Sequence, residues 1–155
     1  MIASTETIEN PAFYLAGIAV RTTNQNGQSE KDIGALWAKF MGEGVLQQIN
    51  NSATDDIYCV YTDYETDFTG PYTALLGCKV TSIDNQPESI TSLTVPAGKY
   101  RIYNLSGKFP ENVHQAWTEI WNSSVERVYT VDFDLYCANA ESFEETRVAI
   151  YLAVK

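Results

Sequence analysis

The chain carries few of the side chains on which common active sites are built. His114 is its only histidine, and Cys59, Cys78 and Cys137 form no C-x-x-C spacing. A Cys/His zinc site and a histidine-based hydrolytic triad are therefore not expected, nor is any metal or cofactor. The odd cysteine count argues against a disulfide framework and for a reduced, cytoplasmic setting. Carboxylates are plentiful at Asp55-Asp56, Asp63/Glu65/Asp67 and Glu144-Glu145. The Asp63–Asp67 run lacks the turn glycine and the closing glutamate of a calcium loop, so these groups read as solvated loop charge. Gly42-Glu43-Gly44 and Gly70-Pro71 match neither a Walker nor a dinucleotide pattern. What remains is aromatic. The 10 Tyr, 3 Trp and 6 Phe make up 12% of the chain, more than a core of this size requires. Tyr and Trp join an apolar body to a polar tip, which suits the wall of a binding site and equally a sheet whose phenols reach solvent.

The 155 residues are one domain's worth of chain, 1–155, able to bury about two thirds of the unfolded surface without disulfide or metal help. With 45% hydrophobic and 19% charged residues the composition is that of a globular protein. Twenty acidic against 10 basic residues give a formal charge of −10 and a pI near 4.4. That field repels phosphate backbones, so no nucleic-acid partner is expected, and it attracts cationic ligands. The start, Met1-Ile2-Ala3-Ser4-Thr5-Glu6, has no basic and apolar leader, and no stretch is apolar enough to cross a bilayer.

These aromatics must be positioned by a mixture of strands and helices. Residues 12–22, following Pro11, read as a strand. Ser29 reads as an N-cap before Glu30, Lys31 and Asp32, and Ile33, Leu36, Trp37, Phe40 and Met41 recur at helical spacing, in a helix that ends near Gly42 or runs on to Ile49. Asp56–Asp63 and Thr73–Val80 are two strands joined through Gly70-Pro71. A further strand centres on Tyr100–Leu105 after the Val95-Pro96-Ala97-Gly98 turn. Pro110 precedes a second helix with Val113, Ala116, Trp117 and Ile120 on one face and Trp121 beside them. Strands at Val128–Cys137 and Thr146–Val154, with a polar turn at Asn139–Phe143, close the chain.

Written out, this is βαββ followed by βαββ. Leu36-Trp37-Ala38-Lys39-Phe40 resembles Ala116-Trp117-Thr118-Glu119-Ile120 at an offset of 117 − 37 = 80, and Tyr58-Cys59 matches Tyr136-Cys137 at 136 − 58 = 78. Two similar offsets on equivalent elements favour an internal duplication, with halves at about 12–82 and 93–155. The fold class expected is α+β: two pseudo-symmetric βαββ units forming an antiparallel sheet with two helices and a central ligand cleft where the halves meet.

Four segments then come in a familiar order. They are Tyr64-Glu65-Thr66-Asp67 leading into Gly70-Pro71-Tyr72-Thr73-Ala74-Leu75-Leu76-Gly77; Val95-Pro96-Ala97-Gly98-Lys99-Tyr100; Ala116-Trp117-Thr118-Glu119-Ile120-Trp121; and Phe133-Asp134-Leu135-Tyr136. Together they resemble the bacterial GyrI-like family, the small-molecule-binding domain also found as the effector-binding domain of AraC-type and MerR-type multidrug regulators. The resemblance runs from about Phe13 to Val154. It implies two SH2-like βαββ halves and lipophilic cations bound in a central aromatic pocket. No residues are left for a DNA-reading module, so a stand-alone drug-binding or sequestering protein is expected. The resemblance admits two alternatives, a small-molecule hydrolase using the same acid as general acid or base, and a protein-binding inhibitor.

The family's acidic anchor is the glutamate of a Phe-Glu-x-Tyr pattern, and the matching residue here is Asp134, one methylene shorter. A carboxylate among aromatic rings is costly to desolvate unless a cation or hydrogen bonds compensate, and a lipophilic ammonium would add cation–π contacts. Strand alternation puts Asp134 and Tyr136 on one face and Phe133 and Leu135 on the other. If Phe133 and Leu135 pack under the helices, Asp134 and Tyr136 face the cleft. On the last strand Ile150, Leu152 and Val154 form the core face, which turns Tyr151, flanked by small Ala149 and Ala153, toward the ligand. Trp37 and Trp117 occupy equivalent helix positions and can lend ring edges to the pocket, Tyr72 can close its mouth, and Tyr58 enters as the repeat mate of Tyr136.

Overall fold

The computed structural model describes residues 2–108, 110–137 and 147–155. Among them, eight strands and three α-helices follow one another as β1 (Ile2–Asn10), β2 (Phe13–Thr23), α1 (Gln28–Gly42), α2 (Val45–Gln48), β3 (Ile57–Thr62), β4 (Pro71–Val80), β5 (Thr91–Val95), β6 (Gly98–Leu105), α3 (Glu111–Trp121), β7 (Val131–Tyr136) and β8 (Val148–Ala153). All neighbouring strands pair antiparallel, in the order β1-β6-β8-β7-β3-β4-β2-β5. The α+β class and the antiparallel sheet expected from the sequence are present. The turn expected at Asn139–Phe143 lies outside the described residues.

Two strands were not expected, β1 and β5. β1 is mostly exposed, with a polar Ser-Thr-Glu-Thr run that gives no apolar alternation to read. Both are exchanged across the centre of the sheet. β1 pairs with β6, and β5 pairs with β2.

The exchange forces the sheet to curl. β1 and β2 stand first and seventh in the order, yet only Pro11 and Ala12 join them; β5 and β6 stand eighth and second, joined by Pro96 and Ala97. Six strand spacings on a flat sheet would span about 29 Å, whereas three Cα steps reach at most about 11 Å. The two ends of the sheet therefore meet, and the face inside the curl fills with Leu15, Tyr58, Val60, Leu75, Val95, Tyr100 and Phe133. Gly17 and Gly77 stand opposite each other in the β2–β4 ladder. A Cβ on either would run into the backbone carbonyl of the facing strand, Leu76 or Ala16, so this close crossing requires glycine.

The outer face carries the helices. Leu36 and Phe40 of α1 pack on Ala16, Ile18, Leu76 and Cys78, and Ala116, Trp117 and Ile120 of α3 pack on Tyr103, Ile150 and Leu152. α1 begins at Gln28 after Gly27 in the left-handed region, so Ser29 lies within the first turn and is not its cap. The preceding turn is held instead by long-range bonds, with Asn24 Nδ2 donating to the Phe68 carbonyl at 2.9 Å and Gln25 Nε2 to the Thr69 carbonyl at 2.7 Å. α1 stops at Gly42, Gly44 turns left-handed, and the short α2 follows. Met41, placed in the apolar stripe by its spacing, is 57% exposed.

Candidate functional site

The pocket lies on the helix-bearing face, between α1 and α3. β3 and β7 are the central pair, in the register Cys59↔Asp134 and Tyr61↔Asp132. Directly opposed residues of an antiparallel pair share a face, so Cys59, Tyr61, Asp132, Asp134 and Tyr136 all point toward the helices. Above them opens a cavity of about 670 Å³, walled by Trp37 and Ile33 of α1, Val113, Trp117 and Trp121 of α3, and Tyr61, Tyr64, Phe68, Tyr72 and Tyr136. Its rim carries Glu30 and Glu111 and is spanned by His114 Nδ1 and Glu30 Oε1, 3.8 Å apart.

Asp134 forms the floor. It is fully buried. Tyr61 donates its hydroxyl to Oδ2 at 2.6 Å, Tyr136 donates to the same oxygen at 3.2 Å, and the Trp117 indole N–H donates to Oδ1 at 2.9 Å. Among the described residues no positive charge is paired with it. Burial pushes its carboxyl up to about 6, and the three donors hold it from rising further. The same surroundings push the Tyr61 and Tyr136 phenols well above their ordinary value, chiefly by burial and then by the Asp134 charge. Burial raises the Cys59 thiol likewise.

Rings lock this floor to the walls. Trp37 meets Tyr136 edge-on at 5.1 Å and Trp117 meets Tyr61 edge-on at 5.4 Å. Phe68 stacks on Trp121 at 5.9 Å, and the Tyr72 hydroxyl donates to Asn24 Oδ1 at 2.7 Å.

Beside the cavity Asp132 receives Arg127 Nη2 at 2.8 Å, the Tyr64 hydroxyl at 2.6 Å and the Ala153 amide at 2.8 Å. Burial raises the Asp132 carboxyl, opposed by Arg127 and these donors. The Arg127 guanidinium lies 4.4 Å from the Tyr129 ring centre and 5.6 to 6.0 Å from those of Trp117, Phe68 and Tyr64.

Of the residues expected at the site, Asp134, Tyr136, Tyr72, Trp37 and Trp117 surround this one cavity. Tyr58 and Tyr151 do not. They lie inside the curl, where Tyr151 stacks on Phe133 at 4.6 Å and Tyr58 packs on the same ring at 5.5 Å, beside a smaller cavity of about 400 Å³. The helices cover the Asp134 face and the curled sheet closes the Phe133 face by itself, so core and cleft share the outer face. Asp134 pairs with Ile150 and Phe133 with Tyr151, which fixes Tyr151 on the other side. The repeat offset misplaced Tyr58 by parity. An offset of 78 maps even numbers to even, but the outer face of β3 is odd-numbered and that of β7 even-numbered.

Sequence reasoning did not single out Tyr61, Tyr64, Phe68, Asp132 or Arg127. For Tyr61 the signal was its two-residue spacing from Cys59, usable only once the β3–β7 register was known. Arg127 sits outside regular structure, held to Val154 by one antiparallel bridge, and carried no signal.

An eight-stranded antiparallel sheet with few helices is the GyrI-like fold, as its structural neighbours show. A Vibrio cholerae integron cassette protein of known structure superposes with a TM-score of 0.74 at 32% identity, covering 99% of this chain and 97% of that one. The structure of SAV2435 bound to tetraphenylphosphonium gives 0.80 at 21% identity over 98% of this chain and 94% of the other. YobU of Bacillus subtilis (strain 168), which carries the name of a transcriptional regulator protein, is 30% identical over 145 residues, 90% of this chain and 91% of its own length. Residues 6–154 match Cass2, the integron-associated effector binding proteins, and the chain belongs to that family.

Proposed function

We propose that the cavity binds lipophilic aromatic cations, and that the protein acts by effector binding or sequestration of such molecules. One observation carries this reading: a buried carboxylate, Asp134, lies beneath an aromatic cavity and, among the described residues, is compensated by three neutral donors alone. Its negative charge is left for a ligand to neutralise. Because Asp134 is sealed behind Tyr61, Trp117 and Tyr136, the ligand senses the charge through these rings, whose electron-rich faces also attract it. At roughly 6 Å and an effective dielectric near 20, one unit charge contributes about 3 kcal/mol. The acidic rim, Glu30 and Glu111, adds long-range attraction. SAV2435, of the same fold, holds tetraphenylphosphonium in its structure.

Both oxygens of Asp134 already accept hydrogen bonds from Tyr61, Tyr136 and Trp117, which gives no support to the hydrolase alternative, in which the acid must engage a bound water. Among the described residues, no helix is long and apolar enough to cross a membrane.

Titration with tetraphenylphosphonium, followed by calorimetry and by the emission of Trp37 and Trp117, tests the proposal. Micromolar binding that weakens tenfold or more in Asp134→Asn supports it. Absence of binding, or unchanged affinity in the variant, overturns it.

A further inference from the structure

Resting on that reading, a second charged group extends the ligand class. Arg127 lines the same cavity, and its side chain is 4% exposed. Nη2 is bonded to Asp132, but Nε and Nη1 are buried with no hydrogen-bond partner among the described residues. A buried unsatisfied donor is costly, and donors on a charged group more so. The four surrounding rings attract the cation by their faces, and the Tyr64 hydroxyl accepts weakly from Nη2 at 3.5 Å, which leaves Nε and Nη1 unserved. The group is firmly placed, because Asp132 is anchored by the Ala153 amide and by Tyr64, and Arg127 itself by the bridge to Val154.

Trp117 joins the two poles. Its indole N–H bonds Asp134 at 2.9 Å, while its ring lies 5.6 Å from the Arg127 guanidinium. The cavity thus has a negative pole on one side of this indole and a cation with unused donors on the other. We infer that the site is built for aromatic zwitterions, with the ligand's positive centre held over the Asp134 floor and a carboxylate, or an acceptor of like geometry, received by Arg127. Nε–H and Nη1 lie on different edges of the guanidinium, so each offers a ligand oxygen a single charge-assisted hydrogen bond.

The test uses three phosphonium probes of one framework: tetraphenylphosphonium, (4-isopropylphenyl)triphenylphosphonium and (4-carboxyphenyl)triphenylphosphonium. The last two differ little in volume, and the ratio of their dissociation constants isolates the carboxylate. It is measured by calorimetry at pH 7.5 for wild type, Arg127→Lys and the double variant Arg127→Met/Asp132→Asn. Arg127→Lys keeps a charge opposite Asp132 but removes the unused guanidinium donors, and the double variant removes the buried pair without stranding either charge, so one reports if the other does not fold. The expected result is a ratio that shifts against the carboxylate by about tenfold or more on loss of the guanidinium, the size of a charge-assisted hydrogen bond. A ratio that stays within twofold of wild type, while tetraphenylphosphonium binds wild type, overturns the Arg127 assignment alone. Failure of wild type to bind any of the three overturns the cation-binding reading and the zwitterion class with it.

Discussion

If the charge of Asp134 attracts the ligand, affinity must follow its protonation. The carboxyl is held up to about 6 by burial, against three donors. The groups facing it, Cys59, Tyr61 and Tyr136, are kept neutral by the same burial, and the nearest other charges form the Asp132–Arg127 pair. A phosphonium does not titrate, so between pH 5 and 8 its binding reports on the protein. With an ionised floor required, the apparent dissociation constant is nearly constant at pH 7 to 8, roughly twofold higher at pH 6 and roughly tenfold higher at pH 5. Stability runs the opposite way. The folded carboxyl lies above its ordinary value, so Asp134 contributes stability that is fully present below about pH 4 and lost as the pH rises through about 6. At about 1.4 kcal/mol per unit this amounts to about 3 kcal/mol. Calorimetric titration with tetraphenylphosphonium across pH 5 to 8 and urea unfolding across pH 4 to 8 measure both slopes. Asp134→Asn should flatten both, and at pH 8 it should unfold no more easily than wild type. A wild-type affinity flat from pH 5 to 8, or a slope undiminished in Asp134→Asn, would refute the assignment of the floor charge.

Two further outcomes separate the faces and the fold. Tyr61→Phe removes the 2.6 Å donor to Asp134 and should raise the pH at which phosphonium affinity begins to fall, whereas Tyr151→Phe, inside the curl, should leave the titration within twofold of wild type; an equal effect of both would mean that the ligand reaches the other face. Gly77→Ala should cost about 3 kcal/mol or more, read as a lowered urea midpoint, because the added Cβ meets the Ala16 carbonyl on the facing strand; a midpoint within experimental error of wild type would show that the β2–β4 crossing can open without penalty.

The elements with their own periodicity were legible from the chain alone. Leu36 and Phe40, and Ala116, Trp117 and Ile120, marked two helices by spacing, and apolar and aromatic runs bounded by turn residues marked the strands β3, β4, β7 and β8. β1 was not legible because its polar, exposed run is held by backbone pairing to β6, which no side-chain pattern announces. The α1 start was misread at Ser29 because its preceding turn is fastened by Asn24 and Gln25 to a loop more than forty residues away.

The same division holds at the site. Sequence by itself determined that the chain is acidic and aromatic-rich, that Asp134 and Tyr136 share one face of a strand, and that Trp37 and Trp117 each lie in the apolar stripe of a helix, since alternation and helical period are local properties of the backbone. It could not determine which face the helices would cover, because that depends on the curl imposed by two-residue links between opposite ends of the sheet. Only the tertiary structure decided that Tyr61 belongs with Asp134 while Tyr58 and Tyr151 do not. The register of two strands more than seventy residues apart sets it, and a shift of one residue would reverse every assignment. It alone, too, put Arg127 at the cavity wall, where burial turns an ordinary arginine into a cation with donors to spare.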